Sequence, residues 1–143
     1  MKISELKTFI NEGKLDDKLV ELYGEKALNA QKERYTAILD NALHAFSDEA
    51  RIYSAPGRTE VGGNHTDHQL GKVLAASLNL DVVACVIPTD DNIVTYASKG
   101  YNVKPVDVSD ITIHEEEKNS TEALIRGVAS GLNKRGYNAG GFK

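Results

Sequence analysis

The chain has 143 residues, of which 41% are hydrophobic and 27% are charged. These values are ordinary for a folded globular protein and argue against a disordered chain. The net charge of −4 and the scattered lysines and arginines provide no basic surface, so nucleic acid is not an expected partner. No apolar run has the length of a signal peptide or a membrane span, so we expect a cytoplasmic protein with no membrane partner.

The first third of the chain has the spacing of helices. Leu6, Phe9 and Ile10 recur at helical intervals, and Ser4 before them is a candidate cap. A second stripe, of leucines, ends at a glycine. The apolar face of a longer third helix follows, formed by Tyr35, Ile38, Leu39, Ala42, Leu43 and Phe46. The sequence therefore predicts a helical region over residues 1–48.

Short strands follow the helices. They are predicted over residues 51–55, 73–78, 82–87, 93–97 and 103–108. Pro56 and Gly57 should end the first strand, and a glycine-rich loop should extend from there to Gly71. The third and fourth strands should pair as a hairpin. Pro105 indicates that the fifth lies at a sheet edge.

A last helix is predicted after Asn119, which stands three residues before Glu122 in a cap-like arrangement. Its apolar stripe would consist of Leu124, Ile125, Val128 and Leu132. Gly136 is typical of a helix end. The chain then finishes on Lys143 after a Gly-Gly pair, so we expect a piece of a longer domain.

The glycine-rich segment carries residues suited to binding. Within ten positions it offers a cation, an amide, an imidazole and a carboxylate, from Arg58, Asn64, His65 and Asp67. Sugar hydroxyls both donate and accept hydrogen bonds, so this mixture suits a polyol. A fixed cation beside a hydroxyl nucleophile would also stabilise charge that develops on a transferred phosphoryl group.

Two other interpretations of this segment stay open. It could be a solvated connection in which Thr66 and Asp67 make only turn hydrogen bonds, and spacing alone supports this as well as the sugar site. It could also hold a metal through His65, Asp67 and His68. Residues so close in sequence rarely all face one ion on a loop, which disfavours the metal.

Three stretches of the segment form a signature, namely Pro56-Gly57-Arg58, Gly63-Asn64-His65-Thr66-Asp67-His68 and Gly71-Lys72-Val73-Leu74. It is similar to the galactokinase signature, in which Pro-Gly-Arg leads to Gly-Glu-His-Thr-Asp-Tyr and then to Gly-x-Val-Leu. The chain therefore resembles the amino-terminal part of the galactokinases, a branch of the GHMP kinases.

The resemblance implies the α/β (α+β) fold of the GHMP-kinase amino-terminal domain, with a mixed sheet backed by helices and truncated here. Residues 1–48 would be amino-terminal helices. Residues 49–143 would be the first part of that domain, with the sugar-binding loop over 56–71. The resemblance also implies that the intact protein uses ATP and Mg²⁺ to convert D-galactose into galactose 1-phosphate.

The resemblance also implies roles for individual residues. Arg58 matches the arginine that stabilises the transition state. The residues that hold the sugar are matched by Asn64, His65, Thr66 and Asp67. Ser98 resembles a serine near the adenine of ATP, although a turn serine at a strand end is an equal alternative. The phosphate loop and the magnesium ligands of the family have no counterpart up to residue 143, so we expect this chain to be inactive alone.

Three positions depart from the family pattern. Asn64 replaces a glutamate, His68 a tyrosine and Glu60 an asparagine. The amide of Asn64 removes a charge that would repel an anionic sugar, so galacturonate is an alternative substrate to galactose. Because His65, Thr66 and Asp67 are intact, galactose is the preferred prediction.

Two further alternatives come from other classes of protein. A non-catalytic galactose sensor would keep the sugar loop, although retention of Arg58 argues mildly against it. A GHMP kinase for another small alcohol is disfavoured by the His65-Thr66-Asp67 triplet. The sequence leaves the oligomeric state open.

Overall fold

The computed structural model describes residues 1–45, 49–63, 66–101 and 103–143; the side chains of residues 43–45 and 67 lie outside this description. The chain combines helices with small sheets, which confirms the predicted mixed α/β class at that level. It divides into two compact units, Met1–Cys85 and Val86–Lys143. The functional division predicted after residue 48 stays a prediction.

The first unit contains three α-helices followed by two strands. They are α1 (Ile3–Asn11), α2 (Asp16–Tyr23), α3 (Leu28–Ala45), β1 (Arg51–Gly62) and β2 (Leu74–Val86), which ends at the unit boundary. The two strands pair with each other in a two-stranded sheet.

The three helices pack through their apolar stripes. The described side chains that are buried on them are Ile3, Ile10, Leu19, Tyr23, Tyr35 and Leu39. Burying each aliphatic side chain of this set contributes about 1.5–3 kcal/mol, so the packing of the stripes stabilises the helical part. The predicted helical face of α3 is confirmed at Tyr35 and Leu39, whereas Phe46 lies outside the described residues.

The cap predicted for α1 is wrong. Ser4 lies inside the helix, where its carbonyl accepts a hydrogen bond from the Thr8 hydroxyl at 3.0 Å. The residue before the helix is Lys2, whose backbone N–H donates to the Glu5 carboxylate at 3.0 Å. An acidic side chain in the first turn therefore satisfies the backbone N–H of the residue that precedes the helix.

The predicted end of the first strand is also wrong, because β1 continues through Pro56 and Gly57 to Gly62. Each strand of a two-stranded sheet has an open edge, where a proline without an N–H group is tolerated. A Cβ atom on Gly57 would lie 3.0 Å from the carbonyl oxygen of Leu80, so glycine suits the close approach of the strands. The segment predicted as loop from residue 57 is thus strand up to Gly62.

The second strand differs from the prediction as well. Residues 73–78 and 82–87 were expected as separate strands, but β2 is continuous from Leu74 to Val86. The polar residue between the two apolar runs, Asp81, has hydrogen-bond partners on neighbouring elements, so the strand needs no break there.

The second unit contains β3 (Ile93–Val94), β4 (Val106–Asp107) and α4 (Thr121–Asn133). β3 pairs antiparallel with β4. The hairpin predicted between residues 82–87 and 93–97 is therefore wrong. Ile87, the last residue of the predicted third strand, pairs instead with Lys143. The two residues exchange backbone hydrogen bonds of 2.8 and 2.9 Å.

The last helix begins one residue later than predicted. The Ser120 hydroxyl accepts the backbone N–H of Ala123 at 3.2 Å, so Ser120 is the cap. Asn119 instead takes the left-handed conformation, with φ of 62°. Gly136, with φ of 82°, follows the helix as predicted.

The buried face of α4 includes Ile125 of the predicted stripe, but the other three stripe residues are exposed. Ala129 and Arg126 are buried, and Ile125 packs against the core formed by Val94, Val106 and Val108. The predicted stripe residues Leu124, Val128 and Leu132 are 67%, 57% and 41% exposed. Among the described helices, none is both long and apolar enough to cross a membrane.

Candidate functional site

Arg58 lies in the middle of β1, with its side chain exposed to solvent. The sequence predicts a loop at this position, so that prediction is wrong. A strand restricts the backbone more than a loop does, so the guanidinium projects from a fixed point of the sheet. This geometry suits a cation that has to meet a reacting group in one orientation.

Thr66 is the centre of a tight turn after β1. Its hydroxyl donates to the carbonyl oxygen of Gly63 at 2.9 Å. Its own carbonyl accepts the backbone N–H groups of Gln69 and Gly71 at 3.0 and 2.9 Å. The turn hydrogen bonds considered for Thr66 are therefore present, and the two-sided bonding holds this residue half-buried in one arrangement.

Glycine is required at both ends of this turn, because neither position has room for a side chain. Gly63 has φ of 113°, and a Cβ atom on it would lie 2.7 Å from the Lys72 carbonyl oxygen. A Cβ atom on Gly71 would lie 2.7 Å from the Thr66 carbonyl oxygen. Any larger residue at either position would force the turn apart.

Three of the predicted sugar-holding side chains are not described. Asn64 and His65 lie outside the described residues, and Asp67 is described only as backbone, at the start of a short 3₁₀ helix that ends at Gln69. Their contacts with a sugar stay predictions, and so does the alternative metal set of His65, Asp67 and His68. Elsewhere, within the side chains that are described, no three His, Cys, Asp or Glu residues come together as metal ligands.

Ser98 lies in the second unit, in a turn. The backbone N–H of Tyr101 donates to the Ser98 carbonyl at 3.1 Å, and Gly100 has φ of 87°. This is the turn serine of the alternative interpretation. The turn does not test the expected nearness of Ser98 to adenine, which stays a prediction.

A polar cluster that the sequence analysis missed joins the helices to the sheet in the first unit. The Tyr23 hydroxyl donates to Asp81 Oδ2 at 2.6 Å and lies 2.7 Å from the Tyr35 hydroxyl. Arg34 Nη1 donates to Asp81 Oδ1 at 2.7 Å, and the Ser54 hydroxyl donates to Asp81 Oδ2. Two helices and both strands therefore meet at one carboxylate.

The ionisation of this cluster follows from its packing. Burial opposes the charge of Asp81, but hydrogen bonds from Ser54, Tyr23 and Arg34 outweigh it and lower the pKa of the carboxyl group. Burial and the hydrogen bond to Asp81 raise the pKa of Tyr23 above its usual range. The cluster therefore holds a carboxylate, a guanidinium and the neutral phenol of Tyr23. The signal in the sequence is an acidic residue inside an apolar strand, which needs a partner.

A second polar cluster lies in the second unit. The buried Arg126 donates to both carboxylate oxygens of Glu117, at 2.9 and 2.7 Å, and to the carbonyl of Asp107 at 2.8 Å. Next to it, His114 Nε2 lies 3.0 Å from Asp110 Oδ2. His114 and Arg126 help line a cavity of about 310 Å³. Glu117 and the Asp107 carbonyl therefore compensate the burial of the Arg126 charge on α4.

Comparison with known proteins finds one family signature in the chain. Residues 43–88 match the galactokinase galactose-binding signature, and this stretch contains both Arg58 and the turn around Thr66. The chain thus carries the sugar-binding signature of a family of sugar kinases.

The chain is also similar to a particular protein, the galactokinase of Clostridium tetani (strain Massachusetts / E88). The two are 32% identical over 92 residues, which make up 64% of this chain and 23% of that galactokinase. The resemblance to galactokinases drawn from the sequence is thereby confirmed. The match spans less than a quarter of the relative's length. No solved structure matches the chain.

Proposed function

We propose that this chain binds D-galactose and is the amino-terminal part of an enzyme that transfers a phosphoryl group from ATP to galactose. The observation that carries the proposal is the overlap of the galactose-binding signature with the strand of Arg58 and the turn of Thr66. The GHMP-kinase fold, with its larger mixed sheet, is part of the same proposal.

Thr66 supports sugar binding through the direction of its hydrogen bond. Its hydroxyl proton is used in donation to Gly63, so the oxygen keeps acceptor capacity. A sugar hydroxyl that donates to Thr66 would fit this state. Asp67 would accept from further hydroxyls, and Asn64 and His65 would supply the donors that an alcohol oxygen needs.

Arg58 would act on the reacting groups. Its cation favours the alkoxide form of the attacking sugar hydroxyl and stabilises the charge that spreads over the phosphoryl oxygens.

ATP is the proposed phosphoryl donor, with Ser98 proposed near its adenine. Mg²⁺ would neutralise the phosphates when bound. The described side chains include no cluster of three His, Cys, Asp or Glu residues, so no metal ligand is assigned among them and no step is routed through the metal. The residues of this chain bind and orient the sugar in the proposal.

Calorimetric titration of the 143-residue chain with D-galactose tests the binding step. We expect saturable binding of galactose, and weaker binding in the Asp67→Asn variant. Glucose is the matched control ligand, because glucose and galactose differ only in the orientation of one hydroxyl. Absence of binding to galactose would overturn this part of the proposal.

The catalytic step is tested on the complete product of the gene. We expect ADP release with galactose, ATP and Mg²⁺, and none from residues 1–143 alone. A substrate panel that includes galacturonate tests whether the amide of Asn64 favours an anionic sugar. Faster turnover of galacturonate than of galactose would make galacturonate the proposed substrate. Galactose binding without ADP release by the complete protein would favour the sensor.

A further inference from the structure

Asp81 joins four elements of the first unit through one side chain. It accepts hydrogen bonds from Arg34 on α3, Tyr23 on α2 and Ser54 on β1, and it lies itself on β2. Its backbone carbonyl also accepts from Arg34 Nη2 at 2.9 Å. The side chain is only 3% exposed, so protein donors replace water around its charge.

Within the described part of the first unit, the sheet that Asp81 holds has little other support. A two-stranded sheet is marginally stable by itself. In β1 every side chain except Ile52 is exposed, and in β2 the first seven residues, Leu74–Leu80, are exposed too. Hydrogen bonds to the helices therefore matter more here than they would in a sheet with a buried face.

The strand that bears Arg58 is the one that Asp81 contacts. Ser54 and Arg58 are four residues apart on β1, so strand alternation places them on the same face, about 13 Å apart. Pro56 lies between them and lines a cavity of about 200 Å³ together with Tyr23 and Ser54. The face of β1 that carries Arg58 is thus the face that meets α2.

We propose that Asp81 is a positioning residue for galactose. Through Ser54 it fixes β1, and with it Arg58 and the start of the Thr66 turn, against α2 and α3. The inference rests on the proposed galactose site. Asparagine in place of Asp81 keeps the shape but loses the charge, and it leaves the Arg34 guanidinium without its carboxylate partner.

The test uses the 143-residue chain with the Asp81→Asn substitution. The control is Asp17→Asn, which removes an exposed carboxylate from α2. We expect calorimetric titration to show the Kd for galactose rising roughly tenfold in Asp81→Asn, because loss of fixed geometry weakens a multi-contact site, and staying unchanged in the control. A role in stability alone would lower the melting temperature and leave the galactose Kd unchanged. That result, or an equal rise in both variants, would overturn the proposal.

A second variant and a second readout keep the test decisive. Ser54→Ala removes one donor to Asp81 and leaves the ion pair with Arg34, so it serves if Asp81→Asn fails to fold. Hydrogen exchange of the β1 amides 58–62 should accelerate in either variant, with the exchange of α4 unchanged. If the unaltered protein binds no galactose, the proposed function fails, and the exchange rates alone decide whether Asp81 fixes β1; unchanged rates refute it.

Discussion

Gly71 packs against Thr66 with no space for a side chain between them. A Cβ atom on Gly71 would stand 2.5 Å from the Thr66 Cβ and 2.7 Å from its carbonyl oxygen, closer than real Cβ contacts allow. The same carbonyl accepts the N–H groups of Gln69 and Gly71. A shift that made room would therefore break the hydrogen bonds that define the turn.

The Gly71→Ala substitution should destabilise the turn and weaken galactose binding. Forcing an extra methyl group against packed atoms costs about 1–3 kcal/mol, which urea unfolding of the 143-residue chain measures. The matched control is Gly62→Ala, where no described atom lies within 4 Å of the new Cβ. Equal stability of the two variants would contradict the close packing of Gly71 on Thr66.

The helices and the mixed α/β class could be predicted from the sequence because they depend on local periodicity. Strand ends could not. Pro56 and Gly57 are turn residues in most contexts, and their tolerance in β1 depends on an open edge and on the nearness of Leu80, both of which are tertiary. The break predicted between residues 78 and 82 is absent. Asp81 can lie inside the strand because its hydrogen-bond partners come from distant parts of the chain.

The candidate site could be predicted in composition but not in arrangement. The signature pointed to Arg58 and Thr66, yet the sequence could not show that one lies on a strand and the other in a turn closed by Gly63. The burial of Arg126 could not be predicted either. An arginine on a helix is expected to be exposed, and only the structure shows its ion pair with Glu117. Burial of a charge is decided by its partner.

Removing the cation of Arg58 should affect catalysis more than binding. In the complete gene product, Arg58→Met should lower kcat about a hundredfold to a thousandfold, with little change in the KM for galactose, because the charge it stabilises develops in the transition state. The control, Arg51→Met, removes an exposed cation at the start of the same strand. A rise in KM with unchanged kcat would assign Arg58 to substrate binding instead.

Two glycines near the end of the chain should respond oppositely to alanine. Gly127 lies inside α4, and a Cβ atom on it would meet no described atom within 4 Å, so Gly127→Ala should stabilise the helix by about 0.5–1 kcal/mol. Gly136 has φ of 82°, where alanine is strained, so Gly136→Ala should destabilise by about 1 kcal/mol. Urea midpoints measure both, and shifts of the same sign would refute the assigned conformations.

The second unit should be most stable in mildly acidic solution because of Asp110 and His114. Hydrogen bonds from Thr112 and His114 lower the pKa of Asp110 to about 2, so its contribution is present above pH ~4 and is lost as the pH falls towards 2. The hydrogen bond to Asp110, followed by that to Glu116, raises the pKa of His114, so its contribution is present below pH ~6.5 and is lost as the pH rises through the raised value.

In the Asp110→Asn variant, NMR titration should show the His114 midpoint moving down, and urea midpoints should depend less on pH at both ends. The Asp90→Asn control, at an exposed carboxylate, should change neither profile, and a His114 midpoint that stays in place without Asp110 would show that this pair is not coupled.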